Sequence, residues 1–568
     1  MLEHRHSRRA FLNATGVGAA GLASAWHSLA AAVEAKDADL VVHNAKVYTV
    51  DDSNPTAQAF AVYNGRFVAV GSNEEAKTYI GQGTRVIDAK GATIVPGCID
   101  CHNHPVGTTL LYEVIVGNPF EVEFFTIDGI IEKLRAKAAR TPPGQWVEGF
   151  FFDDTKLKDK RDLNVHDLDK VSTEHPVMVL HRGAHTSYYN SKALQMAGVT
   201  KDIKDLPGGT YDRDSNGELN GRITDRARVV FANVGARPVY GEAEQAERER
   251  AGMAHISKEF ARYGLTTVHH QGGDLTSIQA VRARGELKHR VSYEVSGKML
   301  DAMIDNGIRT GFGDDWIKLG ATAEHGRDGS FSERTMAIST NYPGTNYKGN
   351  LTGTQEELDA WVERVHRAGI KVNCHANGDV AIASTLTAYE RALKAYPVAD
   401  TRFKITHCTL VNDDLIRRIK AIGAIPAPFT SYAYYNADKF HFYGEEMMNR
   451  SMAFRSFLDA GIPVCAGSDF FPGPFSPLMG IQGMVTRKGW NGEVWGANQK
   501  VTVAEALRIN SYNGAYANHE EKVKGSITPG KLADYLVLAD DPHSIDPEKI
   551  KDIQIISTVV GGTTMYEA

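Results

Sequence analysis

The stretch Val95-Pro96-Gly97-Cys98-Ile99-Asp100-Cys101-His102-Asn103-His104 decides how the rest of the chain is read. A short apolar run ends in two histidines one residue apart. On an extended strand, residues i and i+2 point to the same side, so His102 and His104 can reach one metal ion from the end of a single strand. A His-x-His pair is also common on surfaces and in loops. Its meaning depends on what the rest of the chain brings to the same place.

Towards the N-terminus, residues 39 to 95 alternate as strands do. Apolar runs at 40–42, 46–50, 59–63 and 67–70 are separated by turn signals such as Asp51-Asp52 and Asn64-Gly65. The C-terminus behaves alike, with runs at 534–538 and 555–560 around Gly561-Gly562. A β-rich start and a β-rich end imply one small β-sandwich built from both termini.

The middle alternates short apolar strands with amphipathic helices, for example at 355–368 and 413–422, as parallel α/β folds do. Eight strand candidates stand at 94–99, 265–269, 291–295, 316–321, 372–375, 403–407, 424–427 and 463–467. Eight βα units predict an α/β fold of the (β/α)8 TIM-barrel type. No Gly-x-Gly-x-x-Gly follows an early strand, which weighs against a doubly wound open sheet. The expected organisation is a leader over 1–35, β-sandwich over 36–95 and 516–568, and a barrel over 96–515. The long first crossover, 106–260, is an insertion expected to form a lid or pocket wall.

The 568 residues carry net charge −6, with 42% hydrophobic and 23% charged residues, an ordinary globular composition. Mild acidity leaves no electrostatic footprint for nucleic acid. No apolar run reaches the roughly 20 residues that span a membrane. Ser7-Arg8-Arg9-Ala10-Phe11-Leu12, the weakly apolar stretch after it and Ala30-Ala31-Ala32 occur in the order of a twin-arginine export signal. The twin-arginine export machinery is thus an expected partner and the periplasm the expected location. Cys98, Cys101, Cys374, Cys408 and Cys465 lie in strand-like runs, three of them next to a candidate ligand. Strand neighbours face opposite sides, so these thiols are expected to be buried in packing rather than paired.

Polar residues recur at the strand ends. His375 ends the fifth candidate, His407 the sixth and Asp469 the eighth, while Lys318 lies in the fourth. In a (β/α)8 barrel the strand C-termini surround one pocket, so six polar residues from five strands would converge there. Each alone could be a hydrogen-bonded wall residue or a helix cap; the set reads as a metal site. Imidazole and carboxylate suit Zn²⁺ and similar divalent ions. His102, His104 and Asp469 would hold one metal, and His375 and His407 a second. Two metals roughly 3.5–4 Å apart need a bridging anion. Lys318 could supply it only as a carboxylated lysine. Asp469 would take the proton of the attacking water and pass it to the leaving nitrogen.

At these residues the chain resembles the metal-dependent amidohydrolase superfamily, in its YtcJ-like amidohydrolase family 3 branch. Pro96 to His104 is similar to the branch's Pro-Gly-x-x-Asp-x-His-x-His run, and His185 to Leu194 to its His-x4-Asn-Ser-x-Ala-Leu element. His375-Ala376-Asn377-Gly378-Asp379, Gly467-Ser468-Asp469 and Gly530-Lys531-Leu532-Ala533-Asp534 match three more of its signatures in order. The resemblance covers nearly the whole mature chain. It implies a barrel with a composite β-sandwich, hydrolysis of amide or other non-peptide C–N bonds, and ligand roles for His102, His104, His375, His407 and Asp469, with Lys318 where binuclear relatives carry a carboxylated lysine. Two departures stand out. Ala321 to Arg327 intervene before Asp328-Gly329, lengthening the loop after the lysine, and Thr406 stands where the branch commonly has Glu.

The function expected is that of a metal-dependent hydrolase with one or two ions, probed first with N-acyl amines, N-formyl compounds and N-acyl amino acids. His375 and His407 join Asp469 as its catalytic residues. His185, Arg182, His325 and Arg334 are the expected substrate contacts, with His269 and His270 behind them. The alternatives are deamination of a cyclic amidine, and lactone or ester hydrolysis on the same scaffold. A non-catalytic binding protein would have no need of Asp469 as a base. Self-association into a homo-oligomer is compatible with the sequence.

Overall fold

The computed structural model describes residues 37–568; the expected export signal at 1–35 lies outside the described residues. The architecture is α/β with several sheets. Strands Cys98–Asn103, Leu265–Gln271, Arg290–Val295 and Ile317–Thr322 form one parallel sheet in chain order. Strands His325–Gly326, Asn373–Ala376, Lys404–His407 and Ile425–Ala427 form a second, also parallel.

Backbone hydrogen bonds tie the two sheets together at both edges. On one side Thr322 N–H donates to Lys371 O (2.9 Å). On the other, residues 465–467 run between the sheets: Cys465 N–H donates to Pro426 O (3.1 Å), Gly467 N–H to Pro428 O (3.0 Å), and Cys101 N–H to Ala466 O (2.9 Å). The expected strand at 463–467 is therefore not a regular strand, although its backbone occupies a strand's place.

Helices cover these sheets for local reasons. Gln355–Arg367 begins with a capping box, Thr354 accepting from Glu357 N–H while Glu357 reaches back, and it buries Leu358, Val362 and Val365 on one face. Asp413–Ile422 starts at Asn412, which accepts from Leu415 N–H, and ends at Gly423 with φ +65°.

The expected strand at 94–99 proves to be two. Thr93–Pro96 pairs antiparallel with Tyr535–Leu538, whereas Cys98–Asn103 pairs parallel with Leu265–Gln271. The chain changes sheets at Gly97, where a Cβ would stand 2.1 Å from Thr266 Oγ1, so no larger residue fits. Thr93–Pro96 sits in a six-stranded sheet combining Lys46–Tyr48 and Thr56–Ala57 with the C-terminal strands Tyr535–Leu538, Ile555–Val560 and Thr563–Glu567. A four-stranded sheet of residues 40–88 faces it across a core that includes Val42, Phe60, Phe67, Ile94, Tyr535 and Val559.

The long insertion folds around a sheet of its own. Six strands from Val114–Ile115 to Leu219–Thr224 pair with one another, and two apolar clusters, around Leu134 and Val179 and around Trp146 and Phe231, fill its faces. All five cysteines are free and buried, as strand parity implies.

Candidate metal centre

The C-terminal ends of the parallel strands bring His102, His104, His375 and His407 together, with Asp469 just beyond the segment at 465–467. Parity places the first pair: Nε2 of His102 and Nε2 of His104 each lie 3.2 Å from Asp469 Oδ1. Gly467 is required beside them, because a Cβ there would stand 2.6 Å from the Cβ of His102. His375 and His407 form the second pair, with His407 Nε2 3.0 Å from His375 Nδ1.

Glu324 joins the two pairs. Its Oε1 lies 3.5 Å from His102 Nε2 and 3.9 Å from His104 Nε2; its Oε2 lies 3.5 Å from His375 Nδ1 and 3.4 Å from His407 Nε2. Each carboxylate oxygen thus faces one histidine pair, which is what a bridging ligand must do.

The reading of Lys318 is corrected. Lys318 is the second residue of Ile317–Thr322, near the strand's N-terminal end, and Nζ lies 2.9 Å from Glu520 Oε1. At about 3.3 Å rise per residue, six residues put Lys318 roughly 20 Å from Glu324 along the strand direction. The fourth strand does bring a carboxylate between the two histidine pairs, and it is Glu324, an ordinary glutamate just past the strand's end. One signal was available: Glu324 is the first carboxylate after that apolar strand, at the end where the other ligands stand.

Surrounding residues fix the ligands. Asp100 accepts from the backbone N–H of His102 (3.2 Å) and of Ser468 (2.8 Å), from Ser468 Oγ (2.6 Å) and from Asn103 Nδ2 (2.9 Å), locking the two ligand-bearing segments together. Asp328 accepts from the backbone N–H groups of Asn377 (2.9 Å), Gly378 (2.8 Å) and Ala337 (2.9 Å). That bonding folds the lengthened loop back onto the His375 turn. Nε2 of His375 lies 3.2 Å from Gly329 O, leaving Nδ1 turned to Glu324. His407, Cys408 and Asp469 have φ of +71°, +40° and +51°. Such backbone costs about 1–3 kcal/mol per residue and tends to gather at functional sites.

The electrostatics call for positive charge. Burial opposes protonation of His102, but Glu324 and Asp469 outweigh it and hold its pKa at about 10. At His375 burial is overcome by Glu324 and Asp328, giving about 9. Burial, reinforced by His375, keeps His407 neutral, at about 4. Burial would raise Glu324 and Asp469, yet the facing histidines hold both carboxylates well below their ordinary range. Both ring nitrogens of His102 and Oε2 of Glu324 are buried without a hydrogen-bond partner. Such orphans are costly unless a ligand satisfies them, and imidazoles with carboxylates are the donor set of divalent cations.

Of the expected substrate contacts, His185 is at the site. Its ring centroid lies 5.7 Å from that of His375, and its Nδ1 meets Asp225 Oδ1 at 2.8 Å, leaving Nε2 free. Arg334 is half-buried and held by Asp154 (3.1 Å). Asp154 continues through His181 and Glu333 to the backbone N–H of His185. Arg182 is not a substrate contact: it is fully buried and donates to the carbonyls of Phe471, Asn118 and Pro119 and to the Tyr435 hydroxyl. His325 turns outward and stacks on Trp361 at 4.3 Å, because alternation along the chain sends it opposite to Glu324. His269 is buried between Glu294 and Asn518, and His270 stacks on His289 (5.0 Å) on the other side of its strand.

A second acidic group, Asp153, Asp154 and His181, resembles a ligand set. Lys439 Nζ already lies 2.9 Å from Asp153 and Lys156 Nζ 3.9 Å, so the negative charge of this cluster is compensated by lysines.

A family model described as the amidohydrolase family matches residues 85–566. Over 544 residues the chain is 28% identical to the N-substituted formamide deformylase of Arthrobacter pascens, spanning 93% of this chain and 98% of that protein. It is 26% identical to the putative amidohydrolase YtcJ of Bacillus subtilis (strain 168) over 92% of this chain and 99% of that one. Among solved structures, an uncharacterized metal-dependent hydrolase from Pyrococcus horikoshii OT3 superposes with a TM-score of 0.68 at 21% identity, covering 89% of this chain and 99% of its own, a likeness of fold. The chain belongs to the amidohydrolase family and is a metal-dependent hydrolase of amide-type C–N bonds in small molecules.

Proposed function

We propose that this protein hydrolyses N-formyl or other small N-acyl amines at a two-cation centre bridged by Glu324. His102, His104 and Asp469 would hold one cation and His375 and His407 the other; their nitrogen and oxygen donors suit Zn²⁺. The observation that carries the reading is the split of Glu324, one oxygen to each histidine pair. Divalent cations there would lower the pKa of an attacking water from about 16 towards 7 and polarise the scissile carbonyl.

The side chains divide the remaining work. Asp469, ionised and next to His102 and His104, takes the water's proton and returns it to the departing amine. His185, whose Nδ1 is engaged by Asp225, presents Nε2 to the substrate oxygen. Asp225 and Glu333 outweigh burial and favour its protonated form, so it acts as a donor there. Arg334, at the insertion side, orients a polar substituent of the substrate.

Three further assignments belong to the proposal. The two parallel sheets and the backbone of 465–467 are the eight staves of one closed (β/α)8 barrel, with His325–Gly326 prolonging the stave of Ile317–Thr322, and the bonds at both edges argue for it. The sheets built from both chain ends form the composite β-sandwich. Export by the twin-arginine route to the periplasm rests on the sequence of residues 1–35. The deformylase activity named for the Arthrobacter relative makes N-formyl amines the first substrates to try. The test is metal-loaded protein against N-formyl amines, N-acetyl amines, cyclic amidines and lactones. Release of a free amine from the first group supports the proposal; turnover confined to amidines or lactones overturns it.

A further inference from the structure

At the N-terminal ends of the same strands, away from the metal centre, lies an open cavity of about 510 Å³. Lys371 stands at its inner end and is buried. Its Nζ donates to two neutral acceptors, the carbonyl of Ala517 and Oδ1 of Asn518 (2.8 Å). An ammonium has three donors, so one N–H remains. Among the described residues Lys371 makes no ion pair, and neither does Arg309, which is exposed and lines the same cavity.

The carboxylates of the cavity are already matched. Glu520 is held by Lys318 (2.9 Å) and Lys524 (2.8 Å), and Asp400 by Arg402 (2.9 Å). Deeper in, Glu294 is taken by Lys404, an ion pair with both members buried. Lys371 therefore has no carboxylate of its own, beside a second buried lysine and opening onto a cavity. Burial and Lys404 push its pKa down to about 7. A buried cation is costly until an anion compensates it. Tyr396 and Val398 flank the same cavity with exposed apolar surface.

We propose that this cavity is a binding site for a small organic carboxylate, its anionic group on Lys371 and Arg309 and its apolar body against Tyr396 and Val398. The site is separate from the metal centre. Lys371 stands four residues before His375, roughly 13 Å along a strand.

Calorimetric titration of the full-length protein with phenylacetate, and in parallel with inorganic phosphate, tests the assignment. Because carboxylates also bind metals, the titrations are run on metal-loaded and metal-stripped protein. Saturable binding of one phenylacetate per chain is expected, persisting after stripping and weakened at least tenfold in Lys371→Met and in Arg309→Glu. Should burial make Lys371→Met unstable, the exposed Arg309→Glu carries the comparison. Absence of saturable binding overturns the proposal. So does binding that vanishes on stripping yet is unchanged in both variants, and so does phosphate binding as tightly as phenylacetate.

Discussion

Asp469 donates its backbone N–H to the carbonyl of His102 (2.9 Å), and its Oδ1 lies 3.2 Å from Nε2 of the same histidine. The backbone bond thus fixes the two residues relative to each other and sets their side chains face to face. On the proposed reading Asp469, so placed, would stand next to the water that the centre would activate. Asp469→Asn preserves shape and removes the base. Turnover is expected to fall by about 10²–10⁴-fold, the usual contribution of general acid–base catalysis. Metal content and kcat measured on the same sample decide it: full turnover with metal bound would remove Asp469 from the role of base.

Close approach at Gly467 gives a second expectation. A Cβ 2.6 Å from that of His102 must displace the histidine or the segment at 465–467. Gly467→Ala should cost about 1–3 kcal/mol, the usual penalty of overpacking, and weaken metal binding as well. Thermal unfolding and metal titration report the two effects separately. A parent-like Tm with parent-like affinity would show that the contact relaxes freely.

The metal-free protein should depend on pH in a definite sense. His102 and His375 have folded pKa values of about 10 and 9, above the unfolded value of about 6.5. Groups with raised pKa contribute stability fully below the unfolded value and lose it as pH rises through the folded value. Chelator-treated protein is therefore expected to lose stability between pH 6.5 and 10, and metal-loaded protein far less, since a cation replaces the protons. Denaturant midpoints across that range check it; parallel curves for both forms would contradict it.

Lys318 provides a negative control. Lys318→Met removes one ion pair from Glu520, which keeps Lys524 at 2.8 Å. The half-buried pair should cost about 1 kcal/mol of stability, near the upper end for weakly buried pairs, and leave metal content unchanged. Loss of metal in this variant would restore the lysine to the centre.

Much of the site was legible because strand parity and strand ends are geometric. His102 and His104 share a side, and His375, His407 and Asp469 each follow an apolar run. The reading failed at Lys318, which stands at the N-terminal end of its strand, whereas the C-terminal end that meets the histidines leads to Glu324. A lysine inside an apolar run drew attention that belonged to the carboxylate after it. The apolar run at 94–99 is continuous in the sequence but changes sheets at Gly97, because its partners lie hundreds of residues apart. Arg182 looked available for substrate, yet its carbonyl partners come from loops near 118 and 471 that no local pattern connects.

The central claim is that Glu324 bridges two cations, and metal stoichiometry of Glu324→Gln tests it most directly. The variant keeps the side chain's shape and removes the charge shared by the two histidine pairs. Mass-spectrometric metal analysis of parent and variant, loaded and desalted together, is predicted to show two equivalents falling to one or fewer, with turnover lost. Two equivalents retained in the variant with parent-like turnover would contradict the account.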